Sequence, residues 1–159
     1  MKTFNEYLAM VNHAIDAIKY PEQPAGLYQP IAYHMALGGK RLRPVLVLMA
    51  ADAMGGNLDE ALMPAVGLEM FHNFTLLHDD VMDRSPLRRG KPTVHTKWND
   101  NTAILSGDAM LTMATQFIAM TPAHAQAQVM ELFNKTAMEI YEGQQFDVDF
   151  EKRMDVTED

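Results

Sequence analysis

Three acids and four cations fall within one short stretch: Asp79, Asp80 and Asp83, then Arg84, Arg88, Arg89 and Lys91. On a helix, Asp79 and Asp83 stand four residues apart and leave the same face, about 40° from each other. Such a pair can give oxygens to a hard divalent cation. Mg²⁺ suits it, because that ion keeps several waters while bridging to phosphate oxygens. Asp80 points roughly 100° away and has a supporting role. Acids at a helix C-terminus face the negative pole of the macrodipole, each at up to about 1 kcal/mol. Like charges one turn apart add to that cost, and a bound cation offsets both. The plain alternative is a solvated acidic helix end. The cations that follow weigh against it, since exposed ion pairs account for one or two of them at little gain. A metal–diphosphate ligand engages all of them, with metals on the Asp side and Arg forks on the remaining oxygens.

A second basic cluster is Gly38-Gly39-Lys40-Arg41-Leu42-Arg43-Pro44. Its glycines permit a tight turn and close backbone approach. Its cations fall at a helix N-terminus, where free N–H groups already attract anions. Basic side chains there oppose the dipole and make sense if an anion neutralises both. It is not a P-loop, because His34 stands where the first glycine belongs and Arg41 replaces the Ser/Thr. His72 precedes Asp79 by nearly two turns and shares its face within about 20°. It is either a ligand or a satisfied core histidine. Gln144 and Asp147, near the end of the last helix, are uninformative alone. Glu69 and Asp108 read as buried polar contacts with no assigned role, and the 14 methionines as core filler.

The elements that carry these residues are helical. With 159 residues, 48% apolar and 21% charged, the chain suits one domain or part of a larger one and is not disordered. The absence of cysteine excludes a disulfide scaffold, a zinc ribbon and a thiol nucleophile. A formal net charge of −8 with two concentrated basic patches points to a compact anion and excludes a nucleic-acid track. Met1 to Glu6 lacks the apolar core of a secretory signal. The longest strongly apolar stretch, 45–51, is far short of the roughly 20 residues of a membrane helix, so a cytoplasmic protein without a membrane span is expected.

Apolar spacing predicts an all-α fold of six helices. The first carries Phe4, Tyr7, Leu8, Val11, Ile15 and Ile18 and is ended by Pro21. The second covers 26–37, and the third has Pro44 in its first turn and runs to about Ala53. Asn57 and Glu60 form a capping box that opens a long fourth helix to about Asp83. A polar loop covers 84–92. Asn99 or Asp100 caps a fifth helix through about Met120, and a sixth runs from near His124 past Tyr141.

Taken together, these pieces resemble the trans-isoprenyl diphosphate synthases, the polyprenyl synthetases that make geranyl, farnesyl and geranylgeranyl diphosphates. The pieces follow the family's order: Gly39 to Pro44, His72, Leu77 to Asp83, Arg88 to Thr93, Gly107-Asp108, then Gly143-Gln144 and Asp147. The resemblance implies the N-terminal half of an isoprenoid synthase helical bundle around a central cavity. It implies Mg²⁺ as cofactor, with Asp79 and Asp83 as metal ligands, and Asp79, Asp80, Asp83 and Arg88 as the catalytic set. Lys40, Arg43, His72 and Arg89 would hold the diphosphate of isopentenyl diphosphate. Arg88 would hold the allylic diphosphate, and Gln144 and Asp147 would support the metal–diphosphate assembly. The implied reaction is head-to-tail condensation, and the implied assembly a homodimer.

Residues four, five and eight positions before Asp79, namely Thr75, Phe74 and Phe71, correspond to the floor of the family's elongation cavity. Bulky Phe74 beside small Thr75 implies a short all-trans product, C15 to C20. The two-residue gap between Asp80 and Asp83 lacks the two-residue insertion typical of bacterial farnesyl-type enzymes and fits geranylgeranyl-type or eukaryotic-like ones better. Members run to about twice this length and carry a second aspartate-rich motif, which Asp149, Glu151, Asp155, Glu158 and Asp159 do not form. Residues 1–159 therefore read as an incomplete single domain, expected to be inactive alone. Two other readings are a non-catalytic subunit of a heteromeric prenyltransferase and a class I terpene cyclase. The first need not keep the intact acids and cations, and the second has no use for the Gly39 to Pro44 cluster.

Overall fold

The computed structural model describes residues 1–151 and Arg153. Of the acids set against a second aspartate-rich motif, Asp155, Glu158 and Asp159 lie outside the described residues. The chain divides into two compact units, Met1–Thr121 and the part from Pro122 onward.

The first unit holds α1 (Phe4–Asp16), α2 (Ala25–Met35), α3 (Leu42–Ala53), α4 (Leu58–Met82), a hairpin of β1 (Leu87–Arg88) and β2 (Lys91–Pro92), α5 (Val94–Lys97) and α6 (Asp100–Ile118). The second unit holds α7 (Ala123–Phe150). The fold is all-α, with that hairpin as the sheet structure among the described residues. No helix among them is long and apolar enough to cross a membrane.

α4 is the axis of the first unit. Its buried residues include the unbroken run Ala65, Val66 and Gly67, followed by Glu69, Met70 and Phe71, so neighbours cover it on several sides. α6 packs most closely. A Cβ on Gly67 would stand 2.8 Å from Ile118 Cγ1 and 2.9 Å from the Ala114 carbonyl, so only glycine lets the two backbones approach this far. Farther along the same contact, a Cβ on Gly107 would lie 2.2 Å from His78 Nε2. That imidazole fills the vacated space and bonds the Ile104 carbonyl at 3.1 Å.

Several boundaries differ from those the sequence predicts. α1 buries Tyr7, Val11 and Ile15 but ends at Asp16, before Ile18 and Pro21. Its N-terminus carries a complete capping box, in which Thr3 N–H donates to Glu6 at 2.8 Å and Glu6 N–H to Thr3 Oγ1. At α4 the expected box is half-made: Asn57 Oδ1 accepts from Asp59 N–H at 3.0 Å, without Glu60. Asn99 caps α6 through Thr102 N–H at 2.8 Å, and Asp100 lies inside the first turn. The predicted 84–92 loop contains the hairpin, and the short α5 is an additional helix, giving seven among the described residues.

Candidate anion and metal site

Two charged features meet along one side of α4 and the loops that flank it. The first is a cavity of about 490 Å³ lined by Gly39, Lys40, Arg41, Leu42, Arg43, Glu69, His72 and Arg89. Four residues predicted from sequence, Lys40, Arg43, His72 and Arg89, therefore come together from three separate segments.

Their backbones explain how. Gly38 (φ 81°), Gly39 (φ 142°) and Arg41 (φ 51°) occupy the left-handed side of the map, turning the chain sharply from α2 into α3. Gly39 also makes room for Arg89: a Cβ there would lie 2.9 Å from the Arg89 guanidinium. Arg89 is carried by the hairpin, where Leu87 faces Pro92 and Arg88 faces Lys91. The two residues between them, Arg89 (φ 54°) and Gly90 (φ 76°), both have positive φ, as a type I′ turn requires. A side chain other than Gly, Asn or Asp in that region costs on the order of 1–3 kcal/mol, and such strain collects at functional sites. The hairpin is fastened on its far side, where Tyr33 O–H donates to the Pro92 carbonyl at 2.7 Å.

The electrostatics of the cavity favour an anion. Burial, then Arg41 and Arg88, lower the proton affinity of the Arg89 guanidinium, so the cations here repel one another. Burial, then Arg43, lowers the pKa of His72 and favours its neutral form, which still offers one N–H donor. An arriving anion would relieve both effects.

The second feature lies beyond His72 on α4, at its C-terminal end. Burial first, then the Asp83 charge, raises the Asp79 pKa. Neither Asp79 nor Asp83 takes part in a hydrogen bond or ion pair among the described residues beyond backbone bonding. Asp80 behaves differently. It is 2% exposed, and its two oxygens accept from Arg88 Nε and Nη2 at 2.8 Å each. Removing Arg88 would strand a buried carboxylate, a change that typically costs about 3–5 kcal/mol.

The donor set at Asp79 and Asp83 fits Mg²⁺. No group of three His, Cys, Asp or Glu side chains able to hold a metal ion exists among the described residues. A two-carboxylate site suits an ion that completes its shell with water and substrate phosphate. Two carboxylates that bond no described side chain, one with its pKa raised by burial and by the other's charge, are what such an ion would neutralise.

Of the other predicted residues, Phe71 and Phe74 are buried, with ring centroids 5.7 Å apart, and Phe74 meets the His78 ring edge-on at 4.8 Å. Thr75 is half-buried, its hydroxyl donating to the His72 carbonyl at 2.8 Å. Gln144 and Asp147 lie one turn apart on α7 in the second unit, half-buried and exposed respectively.

Sequence reasoning passed over three features of this region. Glu69 is buried, as its place in the sequence suggested, whereas Asp108 is exposed; what went unread is the partner of Glu69, the buried Arg41, with Nη1 to Oε1 at 2.8 Å, and that Glu69 lines the cavity. His34, 1% exposed, makes no well-formed hydrogen bond to a described residue from either ring nitrogen, with the Asn73 backbone nearby. Gly107 receives His78. A two-residue turn ending in glycine gave a signal for the hairpin; the buried partners gave none, because they are distant in sequence.

Comparison with known proteins shows what this chain is similar to. The family model for polyprenyl synthetase matches residues 24–159. A geranylgeranyl diphosphate synthase of Methanosarcina mazei is 44% identical over 93% of this chain and 46% of its own length. A crystal structure of a geranylgeranyl pyrophosphate synthase superposes with a TM-score of 0.95 at 47% identity, over 99% of this chain and 48% of that one. The geranylgeranyl pyrophosphate synthetase of Geoglobus acetivorans gives a TM-score of 0.92 at 37% identity, over 99% and 52%. The chain spans about half the length of the curated relatives it matches.

Proposed function

This chain belongs to the polyprenyl synthetase family, and from that premise we propose that it supplies one half of a short-chain prenyltransferase. The whole protein condenses isopentenyl diphosphate head-to-tail with an allylic diphosphate, giving an all-trans product of C15 to C20. The observation that carries the reading is the pairing on α4 of a cation-lined cavity with two carboxylates that bond no side chain among the described residues.

In this reading Lys40, Arg43, His72 and Arg89 hold the isopentenyl diphosphate. His72 donates from its neutral imidazole, and bound phosphate raises its proton affinity. Asp79 and Asp83 hold Mg²⁺, which when bound supplies positive charge to the departing allylic diphosphate. Arg88 faces the same group, kept in orientation by its fork on Asp80. The allylic C–O bond breaks with its electron pair leaving on diphosphate. The isopentenyl double bond then attacks the allylic cation, and the released diphosphate accepts the proton that restores a double bond. The protein's share of the work is to fix charges where charge develops and to keep water from the cation. Phe71, Phe74 and Thr75 limit product length, and Gln144 and Asp147 support the metal–diphosphate assembly. The curated relatives are about twice as long as this chain, and the reading assigns turnover to the fold as they have it at full length. Assembly as a homodimer belongs to the same reading.

Calorimetry tests it. This chain should bind inorganic diphosphate more tightly with Mg²⁺ present, and Asp79→Asn with Asp83→Asn should remove that gain. Binding that ignores Mg²⁺, or a gain that survives both substitutions, refutes the assignment.

A further inference from the structure

The cluster Lys40-Arg41-Leu42-Arg43 offers three cations, and the backbone divides them. Lys40 and Arg43 are exposed and line the cavity, whereas Arg41 is 5% exposed. We propose that Arg41 and Glu69 are positioning residues for the anion cavity, their buried ion pair holding the turn so that Lys40 and Arg43 face the ligand. The inference rests on the reading of that cavity as a diphosphate site.

The turn itself contains little to hold it. Gly38, Gly39 and Arg41 adopt left-handed conformations, and no side chain caps the start of α3. Glycines at such positions are conformationally permissive, so they allow the turn without enforcing it. The tie comes from the Arg41 guanidinium. Nη1 reaches Glu69 Oε1 in the middle of α4 at 2.8 Å, and Nη2 reaches the Met35 carbonyl at 2.8 Å. That carbonyl ends α2 and has no helical partner of its own. One planar group thus pins the turn to the helix before it and to the helix across from it.

Glu69 is itself oriented. Asn73 Nδ2 donates to the Glu69 carboxylate at 3.1 Å and to its carbonyl at 2.8 Å. This carboxylate lines a cavity whose other charged groups are cations, and its charge opposes that of any bound phosphate. If charge alone decided affinity, removing Glu69 would tighten anion binding. Positioning gives the opposite sign: without Glu69 the anchor is lost, Lys40 and Arg43 drift, and binding weakens.

Titration calorimetry of this chain with inorganic diphosphate reads that sign directly, using Glu69→Met, Arg41→Met and the double variant, with circular dichroism melts as the folding control. Each single change should weaken binding about tenfold, as displaced binding groups do. The double variant should be no weaker than the poorer single one, because both changes remove one anchor. If the methionine variants do not fold, Glu69→Gln and Arg41→Lys carry the same test of sign. Tighter binding on removal of Glu69 overturns the proposal, and so does a lower melting temperature at unchanged affinity. Lys40→Ala separates the two levels of argument. If it weakens binding while Glu69→Met tightens it, the diphosphate reading stands and the positioning role fails. If the unaltered chain binds no diphosphate, both fail.

Discussion

Lowering the pH from 7 to 5 should destabilise this chain by an amount traceable to one side chain, His34 on α2. The residue is 1% exposed, and neither ring nitrogen makes a well-formed hydrogen bond to a described residue, although the Asn73 backbone lies close enough to favour the protonated form slightly. Burial, and then the charges of Arg88, Arg89 and Arg41, push its pKa down to about 3 from an ordinary 6.5. A base whose folded pKa is depressed takes up its proton in the unfolded chain first. Its contribution is therefore intact above pH 6.5 and is lost as pH falls toward 3. Each pH unit inside that window is worth about 1.4 kcal/mol, so roughly 2 kcal/mol disappears between pH 7 and pH 5, and about 3 kcal/mol by pH 4. For a chain of this size, 2 kcal/mol corresponds to a melting-temperature loss of about 4–8 °C. His34→Leu has nothing to protonate there, so its stability should fall less on acidification than that of the unaltered chain. Glu6 and Asp52, whose pKa values are lowered by bonds from Thr3 and Tyr7, titrate in both proteins and cancel in the comparison, as do His72, lowered mainly by burial, and Asp79, raised mainly by burial. Thermal melts of the two proteins at pH 7, 5 and 4, followed by helical circular dichroism, measure the difference. Parallel curves would refute the argument, because they would mean that His34 is not buried as a neutral base.

Gly107→Ala would place a methyl group 2.2 Å from His78 Nε2, and overpacking of this kind costs about 1–3 kcal/mol. Adding His78→Ala should recover part of that loss, and a melt of the double variant that simply sums the two penalties would show the contact to be unimportant. Phe74→Ala should lower stability by about 3–5 kcal/mol, since the ring is 6% exposed. Under the proposed prenyltransferase reading it should also lengthen the product of the whole protein, and an unchanged chain length by product analysis would remove Phe74 from the proposed cavity floor.

The parts of this molecule that were legible in its sequence are those whose geometry is fixed within a single helix. Asp79 and Asp83 share a face because the 3.6-residue period leaves no other choice, and the long helix through His72 is declared by its apolar spacing. The charge clusters were legible too, as a bias in composition that solvated surfaces do not need. What could not be read is the allocation of each charge. Lys40, Arg41 and Arg43 look alike on paper, yet Arg41 finds an acid 28 positions away while its neighbours line the cavity. Arg88 and Arg89 are adjacent, yet one forks onto Asp80 and the other, at the tip of a hairpin, lies against a glycine on a separate loop. These choices are made by packing between α4 and the segments around it, where a missing Cβ or an approaching carboxylate decides which guanidinium turns inward. A substitution scan that treated the basic residues as equivalent would therefore mix two kinds of loss. Changing Lys40 or Arg43 removes charge from the cavity and should leave folding largely intact. Changing Arg41 or Arg88 exposes the deficit of a buried acid, Glu69 or Asp80, and any fall in ligand affinity must be separated from that structural cost before it is read as a contact.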